Sequence, residues 1–212
     1  MRRSIIVVAI ATGYGSMAHA QAVPAEAAMA EERARAVQCL ALAIGYEAGY
    51  ESLAGQKAVA EVVLNRVRHS AYPNSVCGVV FQGSTRRTGC QFTFTCDGSM
   101  LRPLAAKVQI TSRKIAEDAI DGRNLPQVSG ATHYHANYVS PYWAPSLVKI
   151  GSIGAHIFYR MPGASDMSSG AYRLVAEREP IVGTSAPVSA KPAAATSPPV
   201  AAQPFAPWGL AL

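Results

Sequence analysis

From residue 37 to residue 48 the chain carries one charge, the carboxylate of Glu47, in a run that is otherwise apolar or uncharged. Leu40, Ile44 and Glu47 recur at helical spacing, so a helix here puts the carboxylate on the same stripe as core side chains. Taking an ionised carboxylate out of water is costly, and such a group ends up paired, protonated or used in chemistry. A carboxyl kept near neutrality by an apolar wall can serve as a general acid at ordinary pH. The bland alternative is a half-exposed glutamate at a helix end with no role. Glu47 is therefore the first candidate catalytic residue.

The N-terminus speaks to compartment. Met1-Arg2-Arg3 is basic, residues 4–11 are mostly apolar, and Ala18-His19-Ala20 has the small-x-small form of a cleavage site. We expect residues 1–20 to be a signal peptide and the mature protein to be exported, to a periplasm or cell envelope. An uncleaved anchor fits less well, because the apolar run falls short of the ~20 residues a spanning helix needs. No later segment is long and apolar enough to cross a bilayer.

Cys39, Cys77, Cys90 and Cys96 remain in the mature chain. An even number in an exported protein suggests two disulfides. Residues 91–95 alternate polar and aromatic, which predicts a strand. If extended, they hold Cys90 and Cys96 roughly 20 Å apart, too far to bridge. Cys39 then pairs with Cys90 or Cys96, and with Cys77 only if the segment is not extended. We expect Cys39–Cys96 and Cys77–Cys90, the second stapling the loop 83–89. A four-thiolate zinc site competes, but no C-x-x-C pair is present.

The 212 residues are 50% hydrophobic with a formal net charge of +6. That suits a polyanionic partner such as anionic wall polymers, or simply a solvated surface. Nucleic acid is not expected, since no dense Lys/Arg run occurs. Residues 21–36 read as a lead-in segment, rich in Ala and Glu over 21–35 and read there as a frayed helix. Residues 161–212 read as a tail, rich in Ala and Pro from Thr184 onward, which lacks the apolar bulk for a core. Trp208 is an incidental aromatic or a docking spot. The domain between, residues 37–160, reads as helix 37–48, a turn 49–52 with Ser52 as N-cap, helix 53–68, a turn at 72–74, and a short apolar strand or buried loop at 79–81. The strand at 91–95, a turn at Asp97-Gly98, helix 103–120 closed by Asp121-Gly122, an extended element at 131–136 and a last strand at 157–159 follow. This is an α+β fold, helix-rich with a small β-sheet, whose cleft lies between helices and sheet.

Residues 41–48, 53–67 and 72–82, then 90–98, 131–136 and 153–159, together resemble the SleB/CwlJ-type cell wall hydrolases in colinear order over about 39–160. The resemblance implies a lysozyme-like, resuscitation-factor-like domain that cleaves peptidoglycan glycan strands as a lytic transglycosylase, with Glu47 as the catalytic glutamate. One departure stands out. The family pattern is Glu-Ala-Arg-Gly-Glu, whereas this chain reads Glu47-Ala48-Gly49-Tyr50-Glu51.

With that resemblance the chemistry takes shape. Protonated Glu47 donates to the glycosidic oxygen and an oxocarbenium-like centre develops at the muramic C1. The sugar's own 6-hydroxyl then attacks, giving a 1,6-anhydro product without a second carboxylate. Gln91, Thr93 and Asp97 are candidates to bind sugar hydroxyls or N-acetyl groups, and Tyr46, Tyr134, Tyr142 and Trp143 to stack on sugar rings. His133 and His135 form an H-x-H pair on one strand face, read as substrate-binding, with His156 further on. No cofactor and no metal are expected. A zinc amidase built on His133 and His135 is the outsider, a hydrolytic muramidase the alternative within glycan cleavage, and an exported wall-binding module without activity the alternative outside enzymes.

Overall fold

The computed structural model describes residues 25–86, 89–123, 126–163 and 179–180. The signal peptide, the tail from Thr184 and Trp208 lie outside the described residues. Four helices, α1 (Ala25–Ala48), α2 (Leu53–Arg68), α3 (Val76–Val80) and α4 (Ala106–Ile120), precede three strands, β1 (His133–Ala136), β2 (Val148–Ile153) and β3 (His156–Arg160). The strands form one antiparallel sheet in the order β1-β3-β2, with an irregularity in β2 between Lys149 and Gly151. The fold is the expected α+β class, helical with a small sheet.

Two apolar clusters hold it. The larger joins α1, α2, α3 and α4 through Leu40, Ile44, Val63, Val79 and Ile115, with Phe92 and Phe94 of the following loop. The smaller packs the sheet on α2 through Ala58, Val62, Val128, Ala131 and Phe158, and Tyr134 leans on both. Ser52 caps α2 as expected, its hydroxyl accepting from the Gly55 amide at 3.2 Å. Gly45 and Gly49 let α4 close on the end of α1. A Cβ at Gly45 would collide with the Leu104 side chain, and one at Gly49 would lie 2.7 Å from Val108 Cγ1. The position where the family pattern has Arg is therefore a close helix–helix contact in this chain.

Several expectations are corrected. The lead-in is helical from Ala25 and runs without a break into the helix read from residue 37, and Glu32 within it is buried and ion-paired to Arg35. Residues 79–81 are no strand. Val79 and Val80 end α3, whose N-cap Ser75 accepts from the Gly78 amide at 3.1 Å. α4 begins after Pro103, at Ala106. Strand β2 had no counterpart in the sequence reading. Its residues are mostly exposed, so no apolar alternation marks them.

The largest correction is at 91–95. Thr93–Thr95 is a turn of 3-10 helix, closed by Cys96 N to Thr93 O at 2.9 Å and Thr95 Oγ1 to Phe92 O at 2.7 Å. The chain folds back, so Cys90 and Cys96 come to a Cα separation of 6.5 Å and are bonded. Cys39 pairs with Cys77, tying α1 to α3. Both expected pairings, Cys39–Cys96 and Cys77–Cys90, are wrong for the same reason: compact local structure was taken for an extended strand.

Within the stretch read as a tail, Glu179 returns to the fold. Its carboxylate accepts from the Val76 and Cys77 amides at 2.8 and 2.7 Å, and its own amide donates to Glu32 Oε2 at 2.7 Å.

The disulfides give a direct check. Mapping under non-reducing conditions should recover Cys39–Cys77 and Cys90–Cys96. The former spans 38 residues of sequence, and by loop-closure entropy its removal should cost about 4 kcal/mol, against about 2 kcal/mol for the six-residue link. Comparable losses in equilibrium denaturation would contradict this assignment.

Candidate active site

Glu47 lies in the last turn of α1, with the core residues Leu40 and Ile44 behind it. The residue is half-buried, with its carboxyl closely surrounded by protein. Burial pushes it up to about 7 from the ordinary 4.5. A hydrogen bond from Tyr134 and the positive charge of Arg66 oppose the rise, and the negative charge of Asp97 adds to it. The helix C-terminus, with its negative partial charge, also disfavours an anion there.

Tyr134 projects from β1 and donates its hydroxyl proton to Glu47 Oε2 at 3.0 Å. Burial and the adjacent Glu47 keep its own ionisation well above the usual range, so it stays an O–H donor. Its ring is braced edge-on by His156 at 5.1 Å and packs at a tilt on Phe158 at 5.7 Å. His156 is buried, which lowers its pKa and favours the neutral ring.

α2 sets the height of β1. Glu61 Oε2 accepts from the Gln127 and Val128 amides at 2.6 and 3.0 Å. Asn65 Nδ2 donates to Ala131 O at 2.9 Å, and Arg66 Nε to Thr132 O at 2.7 Å. Three polar side chains of one helix thus hold the segment that leads into Tyr134. Glu51, just past α1, holds the far end of the sheet. Its carboxylate accepts from the Ala155 amide at 3.2 Å and lies against Gly154, which sits at φ +58°.

The residues expected at the site divide between the two faces of the sheet. Side chains alternate along β1. Tyr134, paired with Phe158, faces the helices and Glu47, while His133 and His135 face the other way with Tyr159. His135 Nε2 and the Tyr159 hydroxyl are 2.9 Å apart, and Trp143 packs on His133, His135 and Tyr159 with centroids 5.4–5.6 Å away. His133 lies 3.4 Å from the Tyr72 hydroxyl and 2.9 Å from Thr132 Oγ1. Burial, helped by Arg66, depresses its pKa to about 4, so it is neutral. His156 is on the opposite face from the H-x-H pair, and the three histidines do not converge. Among the described residues no cluster of three His, Cys, Asp or Glu side chains is arranged to hold a metal.

Asp97, Gln91 and Thr93 lie on the loop beside Phe92 and Phe94. Desolvation acts against ionisation of Asp97, but the Ser99 hydrogen bonds and the Arg102 charge outweigh it and keep the carboxylate ionised. Gln91 and Thr93 are half-buried. Tyr46 has one ring face stacked on Phe94 at 4.8 Å and its hydroxyl bound to Arg102 O at 3.0 Å, whereas Tyr142 is exposed. The sequence reading missed Arg66 and the anchoring by Glu61, Asn65 and Glu51. Arg66 had the same signal as Glu47, a charge one turn from Val62 and Val63 on an apolar stripe.

The shift on Glu47 makes stability depend on pH. Its folded pKa lies above its ordinary value, so the native state holds the proton more tightly. The stabilisation is complete below about 4.5 and is lost as pH rises toward about 7. His133 acts in the reverse sense, with stability lost as pH falls from 6.5 toward about 4. The difference between wild type and Glu47→Gln cancels the histidine. That difference should be small near pH 4 and should favour the variant by on the order of 1–3 kcal/mol near pH 8 in denaturant unfolding. A pH-independent difference would mean that Glu47 ionises normally.

A spore cortex-lytic enzyme of Bacillus cereus is 33% identical over 123 residues, which is 58% of this chain and 43% of that protein. Its counterpart in Halalkalibacterium halodurans is 34% identical over 124 residues, 58% of this chain and 34% of that protein. The chain thus spans less than half the length of these relatives. Among solved structures, the catalytic domain of the Bacillus cereus SleB protein is 27% identical, with a TM-score of 0.47, covering 60% of this chain and 91% of that one. No helix among the described residues is long and apolar enough to cross a membrane. The profile of the Cell Wall Hydrolase family matches residues 50–159, beginning just past Glu47, and the chain belongs to that family.

Proposed function

We propose that this chain cleaves peptidoglycan glycan strands between N-acetylmuramic acid and N-acetylglucosamine, as a lytic transglycosylase acting outside the cytoplasm. The observation that carries the reading is Glu47, a carboxyl titrating near 7 and hydrogen-bonded by Tyr134, in a member of the Cell Wall Hydrolase family. The name of its relatives, spore cortex-lytic enzyme, points the same way.

At neutral pH a large fraction of Glu47 is protonated and can donate to the glycosidic oxygen as the bond to the muramic C1 breaks. Charge builds at C1 and on the ring oxygen. The 6-hydroxyl of the same sugar attacks C1, and ionised Glu47 takes its proton. The carboxyl ends as it began, and the products are a free N-acetylglucosamine 4-hydroxyl and a 1,6-anhydromuramic end. Tyr134 holds the carboxyl in one orientation and steadies its anion between the two proton transfers. Gln91, Thr93 and Asp97 supply polar contacts to the sugars. Tyr46, His133, His135 and Trp143 supply ring surfaces further along the strand.

Asp97 favours a second reading. It is an ionised carboxylate whose charge reaches Glu47, and it could assist a water in place of the 6-hydroxyl, which would make the chain a hydrolytic muramidase.

Digestion of sacculi by the protein starting at Gln21, with mass analysis, decides. Anhydromuropeptides are expected. Reducing-end muramic acid would favour the muramidase, and freed stem peptides would favour the amidase. Glu47→Gln should fold, still bind sacculi and lose roughly 10²–10⁴-fold in rate. Glu51→Gln should lose far less. A folded Glu47→Gln with near wild-type cleavage would overturn the mechanism. Tyr134→Phe should move the alkaline limb of the pH–rate profile upward, because it removes a bond that favours the ionised carboxyl.

A further inference from the structure

The two disulfides sit in opposite settings. Cys39 and Cys77 are both fully buried in the larger apolar cluster, between α1 and α3. Cys90 is buried too, but its partner Cys96 is exposed. A disulfide opens by attack of a thiolate on one of its sulfurs, so its lability depends on which sulfur an attacking group can reach. At Cys39–Cys77 neither residue meets water in the folded protein. At Cys90–Cys96 one does.

The second bond also sits where its opening would be felt. It closes the loop that carries Gln91, Thr93 and, next to Cys96, Asp97, the residues assigned above to sugar contacts. The two limbs of this loop are held differently. Phe92 and Phe94 are buried in the core cluster, Phe94 stacks on Tyr46, and the Gln91 amide donates to Gln82 O at 2.9 Å. None of these supports involves sulfur. Residues 96–101 have no such hold. Among the described residues, each of their hydrogen bonds stays within residues 93–102, and Cys96, Asp97 and Gly98 are exposed. The bond to Cys90 ties this limb back toward the core ahead of Arg102, whose carbonyl accepts from the Tyr46 hydroxyl at 3.0 Å.

We propose that Cys90–Cys96 is a reducible clasp on the substrate loop, opened at Cys96 by a dithiol reductant while Cys39–Cys77 stays closed. A thiolate of the reductant attacks Cys96 Sγ, the S–S bond breaks, and Cys90 leaves as a thiolate that takes a proton. The second thiol of the reductant gives up its proton, attacks the reductant's sulfur in the mixed disulfide and releases Cys96. Two electrons pass to the protein, and the dithiol ends as a disulfide. Phe92 and Phe94 keep the Gln91 limb in place, while the Asp97 limb loosens and grips glycan less firmly. Re-oxidation by a disulfide reverses the step. The inference rests on the reading of this loop as a sugar-binding element.

The test titrates the full mature protein with dithiothreitol at neutral pH, traps thiols by alkylation and maps them by mass. Cys90 and Cys96 should be labelled at concentrations that leave Cys39 and Cys77 bonded. Amide hydrogen exchange should then rise at residues 96–101 and not at 92–94. The half-saturating concentration of sacculi should rise roughly three- to ten-fold, the worth of about one sugar hydrogen bond, with the maximal rate little changed. Oxidised glutathione should reverse both effects. Cys90→Ser combined with Cys96→Ser should reproduce the reduced state and no longer respond to reductant. Both bonds opening together, Cys39–Cys77 opening first, or unchanged exchange after selective opening overturns the proposal. If the double variant does not fold, the titration decides alone. Faster exchange with unchanged half-saturation would keep the clasp and remove sugar binding from this loop. A wild type that releases no glycan fragments would sink the proposed cleavage, while labelling and exchange still decide on the clasp.

Discussion

The proposed role of Glu47 as acid and then base depends on keeping its carboxyl short of water without sealing it off. Full exposure would return it to the ordinary carboxylate range, where it is ionised at neutral pH and useless as an acid. Full burial without partners would leave it permanently protonated, unable to take a proton back. The last turn of α1 meets both demands. Core side chains and the negative end of the helix push the carboxyl toward neutrality. The Tyr134 hydroxyl and the Arg66 charge pull it back, and the titration point lands at about 7.

That balance sets requirements on distant parts of the chain. Tyr134 reaches Glu47 only if β1 is held at the right height over α2, and Glu61, Asn65 and Arg66 do this through backbone groups of residues 127–132. Backbone tethers of this kind fix strand position independently of the side chains that the strand presents. Glu51 performs the same service at the β2–β3 turn, and Gly154 is where the chain leaves room for that carboxylate. The sheet is therefore anchored at both ends by polar residues, and its apolar contact with α2 through Phe158 and Val62 supplies the burial between them.

What could be read from the sequence follows the same physics. α2 was legible to its ends because its valines share one face and Ser52 offers a cap. Glu47 was legible because a lone charge in an apolar helix is conspicuous. The segment 91–95 was not. Phe92 and Phe94 are both buried, and spacing of two is the signature of a strand, but here one precedes a 3-10 turn and the other sits inside it. Periodicity over five residues cannot tell these apart. Once the strand was assumed, the disulfide pairing followed wrongly, because Cys90 and Cys96 were held apart by an extension that does not exist. β2 escaped for the opposite reason, since too little of it is buried to leave a pattern. The partition of His133, His135 and Trp143 from Tyr134 was implicit in the alternation of β1, but only the pairing with β3 says which face meets the helices.

The altered turn after Glu47 now has a physical account. An arginine at position 49 would need its Cβ where the Gly45 carbonyl and Val108 already lie, so the approach of α4 to α1 and a side chain at that position exclude one another. The next residue, Tyr50, is 89% exposed at the turn. The cation that this chain brings to Glu47 comes from α2 instead, behind the site and out of water. A buried charge is screened far less by salt than an exposed one, so its effect on the carboxyl persists at high ionic strength.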